Sequence, residues 1–180
     1  MLKALLFAGF AIHIAAIPAA PTRAITPALR PAVIQSADAL EQQIIEKINV
    51  DRAARGLGAL TVDPVLMRAA ADHSHEMCAR NYLDHHSPTP GMTTPMNRYL
   101  KTLQDAGGSA PVTLTVGENI SYCSMPADRF TADFGHRVFM NSPEHRANIL
   151  QPCYTKVGLG VCRRANGEVW VTEMFCRDGK

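Results

Sequence analysis

The spacing of the apolar residues changes once along this chain, and that change limits the folds open to it. Through the first two thirds of the sequence, apolar side chains recur mostly at helical spacing. Near the C-terminus, two segments at 157–163 and 168–176 flank Asn166-Gly167, a dipeptide typical of a tight β-hairpin turn. Several helices and few strands predict an α+β fold, with helices packed on the faces of a small antiparallel sheet.

Signals for helix ends place the individual elements. Asp38 followed by Glu41 predicts a capping box at the start of a first helix that ends near Gly56. Asp63-Pro64 predicts the start of a second helix, whose apolar stripe carries His73 on its buried side. The other predicted elements are a helix at 96–106, a strand at 112–122, a helix at 127–139 and a short helix from 142 to 150.

The N-terminal residues have the pattern of a secretory signal peptide. Lys3 provides a positive start, and the apolar stretch at 4–17 is too short to span a bilayer. We expect a signal peptide at 1–20 with cleavage between 20 and 24, a proline-rich linker at 21–37 and one domain at 38–180. The mature chain is then exported, to a periplasm or the extracellular space, and has no transmembrane segment. A buried N-terminal helix is the alternative, which the prolines after residue 17 disfavour.

Composition excludes several classes of protein. The 18 lysine and arginine residues nearly balance 16 aspartate and glutamate residues, giving a formal net charge of +2. Because no basic cluster could neutralise a run of phosphates, nucleic acid is not an expected partner. A hydrophobic content of 47% is that of a globular domain rather than a disordered chain.

The five cysteines allow at most two internal disulfides, which export makes permissible. With a two-residue Asn166-Gly167 turn, Cys162 would lie opposite Val171 and Cys176 opposite Val157, on the other face of the hairpin. We therefore expect no Cys162–Cys176 bond. Cys153 with Cys176 is the more natural pair, and Cys78 or Cys123 could pair with the other or with Cys162.

Three polar segments are not explained by core packing. They are His85-His86-Ser87-Pro88, Gly117-Glu118-Asn119-Ile120, and the stretch 141–150, which contains Ser142-Pro143-Glu144-His145-Arg146 and Asn148. Together with Val157-Gly158-Leu159-Gly160, these segments and their order resemble the CAP superfamily of secreted cysteine-rich, antigen 5 and pathogenesis-related proteins. The likeness is to its short bacterial branch and extends over residues 40–175.

This resemblance implies an α-β-α sandwich with a central cleft lined by two histidines and acidic residues, sometimes holding a divalent metal such as zinc. Carried over by position, the cleft residues are His86, Glu118 and His145, with the two histidines as metal ligands. His86 is preferred to His85 because the family pattern has a histidine directly before Ser-Pro. The supporting residues around them are Asn119, Ser142, Arg146 and Asn148.

One acidic position of the resemblance is missing. Longer members have a further glutamate after an aromatic residue in the helix before the second histidine, where this chain reads Phe139-Met140-Asn141-Ser142. Phe139 also stands in place of the usual tryptophan. Glu144 is beside His145 in sequence but is not at the family's acidic position.

The residues themselves leave the chemistry of the cleft open. Two imidazoles and a carboxylate could bind zinc with an open coordination position, or they could form a hydrogen-bonded network that joins the strand to two loops. No H-E-x-x-H motif is present. Our first hypothesis is an exported protein that acts by binding a lipid, peptide or other extracellular ligand in this cleft, with residues 80–117 as its rim. The alternatives are a metal-dependent peptidase with Glu118 as base, and an exported scaffold that meets an extracellular protein.

Overall fold

A computed structural model describes residues 37–126 and 128–179 of the protein. The predicted signal peptide and the linker up to residue 36 lie outside the described residues. The elements, in chain order, are α1 (Ala37–Ala53), β1 (Thr61–Val62), α2 (Pro64–Arg80), α3 (Pro95–Asp105), β2 (Thr113–Ser124), α4 (Ala132–Asn141), α5 (Pro143–Ile149), β3 (Lys156–Arg163) and β4 (Glu168–Gly179). None of the helices in this part of the chain is both long and apolar enough to cross a bilayer.

The four strands form one sheet in the order β1-β3-β4-β2. β4 pairs with both β3 and β2 in antiparallel fashion, whereas β1 pairs with β3 in parallel. The α+β class is confirmed, and the sheet is mixed rather than purely antiparallel. The strand that makes it mixed, Thr61–Val62, has two residues and is too short to show any alternation in the sequence.

The two faces of the sheet are covered differently. Odd-numbered residues of β3, such as Val157 and Leu159, pack with Leu40 of α1 in the main core. On the other face, a Cβ atom at Gly158 or Gly160 would come within 2.2–2.3 Å of backbone atoms of α2. Glycine at these positions therefore lets α2 lie directly against the sheet.

The helix-end signals located the end of α1 and the start of α2. α1 ends at Ala53, and the turn that follows contains Gly56 at φ +70°. Asp63 caps α2 by accepting hydrogen bonds from the backbone N–H groups of Val65 and Leu66 at 2.9 and 3.0 Å, and His73 is buried as predicted. α1 begins at Ala37, one residue before the predicted cap at Asp38. The Glu41 carboxylate accepts a hydrogen bond from Val161 N of β3 at 3.0 Å.

The hairpin forms at the predicted place with a register one residue away from the expected one. Arg164 N donates to Glu168 O at 2.8 Å, so the loop has three residues, and its last residue, Gly167, has φ +90°. Cys162 therefore lies opposite Trp170, and Cys176 lies opposite Lys156. This register places Cys162 and Cys176 on the same face, contrary to the prediction. They are not bonded because six residue pairs, about 20 Å of strand, separate them.

One disulfide, Cys78–Cys162, joins α2 to β3 and matches one of the pairings left open by the sequence. The predicted Cys153–Cys176 bond is wrong, since neither residue is in a disulfide. The Cys176 side chain packs on the α2 face of the sheet, whereas Cys153 packs against the main core on the other face. Cys123 is also a thiol.

Candidate functional site

Glu118 is the buried centre of the candidate site. It lies in β2 and its side chain is 1% exposed. Oε1 accepts a hydrogen bond from His85 Nδ1 at 2.8 Å, and Oε2 forms a short ion pair with the Arg98 guanidinium. Both carboxylate oxygens are thus held by positively polarised nitrogen atoms from two different segments.

The histidine that contacts Glu118 is His85, and the sequence-preferred His86 lies elsewhere. The His86 side chain is 71% exposed, with its Nδ1 3.4 Å from the Asp84 carboxylate. The same carboxylate accepts a hydrogen bond from His86 N at 2.8 Å, an Asx-type turn that directs the two neighbouring imidazoles differently. This turn decides whether His85 or His86 faces Glu118, and the Ser-Pro pattern of the sequence does not reveal it.

Arg98 is a site residue that the sequence analysis missed. It is 2% exposed on α3, and its Nη1 donates to the carbonyl oxygens of His85 and Met92 at 3.0 and 3.1 Å. The guanidinium therefore fixes both the Glu118 carboxylate and the backbone that carries His85. An arginine next to Tyr99 on the buried side of a helix is a signal that could have indicated a buried acidic partner.

The contact with Glu118 determines the electrostatic state of His85. Its hydrogen bond to Glu118 raises the pKa of His85, against a smaller effect of burial in the opposite direction. The side chain is 48% exposed, so the second ring nitrogen, Nε2, is available to solvent or to a ligand. His85 is thus the histidine of the candidate site whose protonation is favoured.

The other histidine of the site, His145, has a lowered pKa. It lies in α5, which begins after the Ser142 cap, and its ring meets the ring of Phe139 edge-on at 5.2 Å between centroids. Burial lowers the pKa of His145, and the positive charge of His85 lowers it further. Protonation of His85 therefore disfavours protonation of His145.

The supporting residues predicted from the sequence join α5 to the sheet. Asn119 is fully buried, and its Nδ2 donates to His145 O at 3.0 Å. Asn148 Nδ2 donates to Asn119 Oδ1 at 2.9 Å and to Glu118 O at 3.2 Å. Arg146 donates to the carbonyl oxygen at position 140 at 2.8 Å and thereby links α5 to α4.

The loop that follows His85 is hydrogen-bonded to Glu76 of α2. The Glu76 carboxylate accepts hydrogen bonds from the hydroxyl groups of Ser87 at 2.6 Å, Tyr82 at 2.9 Å and Thr89. Burial raises the pKa of Glu76, but the three hydrogen bonds and the nearby charge of Arg80 together outweigh it, so the pKa is lowered. The segment from Ser87 to Thr89 is therefore anchored to α2.

The donor set does not fit a zinc site of the catalytic type. Within the described residues, no group of three or more histidine, cysteine, aspartate or glutamate side chains is placed to hold a metal ion. His85 and His145 would supply two ligands, whereas catalytic zinc has three protein ligands. Both oxygens of Glu118 are engaged, and the guanidinium of Arg98 would repel a cation placed beside them.

Comparison with known proteins supports the fold and the family. The family model described as the cysteine-rich secretory protein (CAP) family matches residues 45–175. An uncharacterised Bacillus subtilis protein, YkwD, is 33% identical over 140 residues, which cover 78% of this chain and 48% of the relative. The chain thus spans about half the length of this curated relative.

Two solved structures share the fold. An extracellular protein with an SCP domain from Bacillus anthracis matches with a TM-score of 0.63 and 27% identity, over 79% of this chain and 41% of that one. An outer surface protein from Borrelia burgdorferi matches with a TM-score of 0.65 and 15% identity, over 81% of this chain and 97% of that one. At 15% identity the second likeness concerns the fold alone.

Proposed function

The chain belongs to the cysteine-rich secretory protein (CAP) family, and from that premise we propose that it is an exported protein whose cleft binds an acidic group of an extracellular ligand. The cleft is formed by His85, Glu118 and His145. The observation that carries the proposal is the 2.8 Å contact between His85 Nδ1 and the buried Glu118 carboxylate. It orients a half-exposed imidazole so that Nε2 can donate to a ligand.

The charges of the cleft favour an anion. The Glu118 carboxylate and the Arg98 guanidinium form an ion pair and offset each other. Protonation of His85, which its raised pKa promotes, then leaves a net positive charge at the mouth of the cleft. A carboxylate or phosphate group of a lipid or peptide would receive a charge-assisted hydrogen bond there.

Binding fits the geometry better than hydrolysis does. A general base must reach the water molecule that it activates, but Glu118 is 1% exposed and both of its oxygens are occupied. His145 is neutral because burial lowers its pKa, so it adds a hydrogen-bonding ring rather than a second positive charge. Export is proposed from the signal-peptide pattern at 1–20 together with family membership.

The experiment compares His85→Gln with its neighbour variant His86→Gln. Binding is measured by calorimetry for oleate, for a peptide with a free C-terminal carboxylate, for the same peptide amidated, and for inorganic phosphate. Loss of a charge-assisted hydrogen bond, about 1.5–3 kcal/mol, predicts that His85→Gln weakens binding of the acidic probe about 10- to 100-fold. His86→Gln should leave binding nearly unchanged because its ring points to solvent.

The pH dependence gives a second readout. Wild-type affinity for the acidic probe should fall as the pH rises through the raised pKa of His85. Equal effects of the two variants, or an affinity that rises with pH, would contradict the assignment of the cleft. If none of the acidic probes binds, the remaining hypothesis is an exported scaffold that meets a protein partner.

A further inference from the structure

Glu173 is a fully buried carboxyl group on the face of the sheet opposite the cleft carboxylate. It lies in β4, between Asn119 of β2 and Leu159 of β3. Its neighbours on the same face of β4 are Val171 and Phe175, and the apolar neighbours belong to the main core. The carboxyl group therefore lies in apolar surroundings, with the Asn119 amide as its polar contact.

The contacts of Glu173 indicate a neutral acid. Oε2 accepts a hydrogen bond from Asn119 Nδ2 at 2.9 Å, whereas Oε1 is buried without a hydrogen-bond partner in the described part of the chain. An unpaired buried carboxylate is costly, so the group binds a proton instead. Burial raises the pKa of Glu173 to about 8, and the Asn119 hydrogen bond offsets only part of this shift.

The other titratable groups on this face have their contacts elsewhere. They comprise Glu41 with Val161 N, Lys47 with Asp133, Asp51 with His136 and Arg55, Arg52 with carbonyl oxygens of residues 58, 149, 151 and 154, Arg146 with the carbonyl oxygen of residue 140, and Arg163 with the carbonyl oxygen of Phe130. His145, which is neutral, is joined to Glu173 only through Asn119. The remaining groups are the thiols of Cys123 and Cys153 and the phenol of Tyr154. Burial raises the pKa of the Cys123 thiol and that of the Tyr154 phenol.

Asn119 connects Glu173 to the cleft. Its Nδ2 has two hydrogens, one for Glu173 Oε2 and one for His145 O. Its Oδ1 accepts a hydrogen bond from Asn148, the next α5 side chain along this interface. The carboxyl group thus helps fix the orientation of an amide that ties the backbone of α5 to the sheet.

We propose that protonated Glu173 is a positioning residue of the cleft, which holds His145 in place through the Asn119 amide, and that loss of its proton loosens this link. The inference rests on the proposed function, since it assigns His145 to a binding cleft. A charged carboxylate among apolar side chains needs water or a cation. Ionisation therefore favours states in which α5 separates from the sheet, and binding acquires an alkaline limit that is independent of His85.

The test is an NMR titration of the full chain without ligand from pH 6.5 to 10. It follows the Asn119 side-chain amide and the His145 ring Cε1–H resonance in two proteins that both carry His85→Gln, one with wild-type Glu173 and one with Glu173→Gln. The His85→Gln background removes the titration of His85, whose charge acts on His145. Both signals should show an inflection near pH 8 with wild-type Glu173 and none with Glu173→Gln, because glutamine keeps the acceptor and cannot ionise. The titration of His145 itself does not give an inflection near pH 8, because burial lowers its pKa.

Glu173→Met is the second variant of the test. It replaces the carboxyl group with an apolar side chain of similar length and so removes the hydrogen-bond acceptor. It should shift both resonances already at pH 7, and Glu173→Gln should restore them. A titration that is flat near pH 8 with wild-type Glu173, an inflection that survives in Glu173→Gln, or unmoved resonances in Glu173→Met would overturn the proposal. Because no ligand is present, these outcomes are distinct from a failure of acidic probes to bind.

Discussion

Glu118 and Glu173 are both buried carboxyl groups of one sheet, yet they have opposite surroundings. Glu118 is held by Arg98 and His85 on one face, whereas Glu173 has Asn119 as its polar contact on the other. The contacts with Arg98 and His85 engage both oxygens of Glu118, which in turn orients a half-exposed imidazole. The apolar surroundings keep Glu173 neutral and leave it a structural hydrogen-bond acceptor. Burial alone therefore does not set the role of a carboxyl group, since the nearest cation decides it.

The largest expected effect comes from removing that cation. Arg98→Met would remove the ion pair of the buried Glu118, leave its contact with His85 and free the backbone of the rim loop. Breaking a buried ion pair costs about 3–5 kcal/mol, so we expect a loss of this size in the free energy of unfolding, measured in urea at pH 7. Arg68→Met is the matched control, because Arg68 is 72% exposed in its ion pair with Asp72. Similar losses in both variants would contradict the comparison.

A somewhat smaller effect is expected from making Glu173 permanently neutral. Between the unfolded pKa of 4.5 and the folded pKa of about 8, the folded state holds a proton that the unfolded state has lost. Wild-type stability should therefore fall as the pH rises through this window, by about 3 kcal/mol between pH 5 and 7.5. In Glu173→Gln this decrease should be absent in urea unfolding at the two pH values. A parallel decrease in both proteins would refute the assignment of a neutral Glu173.

The smallest expected effect is on the free energy of unfolding when His85, the half-exposed partner of Glu118, is replaced by glutamine. Because its pKa is raised, His85 contributes stability that is fully present below pH 6.5 and is lost as the pH rises through its folded pKa. The ring is half exposed, so the contribution should stay below about 1 kcal/mol. Urea unfolding of wild type and His85→Gln at pH 5.5 and 8.5 should show the larger gap at the lower pH. A gap that widens at high pH would reverse the expected sign.

Local patterns predicted most of the fold. The Asp63-Pro64 cap, the α2 stripe that buries His73 and the strand around Glu118 are all present where the sequence indicated them. Each depends on contacts between residues that are close in the chain. The contact of the Glu41 carboxylate with Val161 N was not predicted, because the two residues are 120 positions apart and no local rule anticipates that partner.

The candidate site was predicted in part. The strand carboxylate Glu118 and the helix histidine His145 were identified from their motifs, and Asn119 and Asn148 contact the same network. The choice of His86 over His85 depended on a turn made by Asp84, in a loop without periodicity. Arg98 was missed because an arginine in a helix is normally exposed, and its buried partner is 20 residues further along the chain.

The sequence by itself determined the class of fold, the elements that carry the polar motifs and the family to which they point, because those properties follow from spacing, caps and short motifs. The tertiary structure decided that Arg98 pairs with Glu118 and that Glu173 lies among apolar side chains with the Asn119 amide as its polar contact. It also decided that Cys78 pairs with Cys162 and that a three-residue loop shifts the hairpin register by one. These outcomes depend on packing between residues distant in the chain and on which of two neighbouring side chains faces the site. The chemistry of a site is sensitive to both.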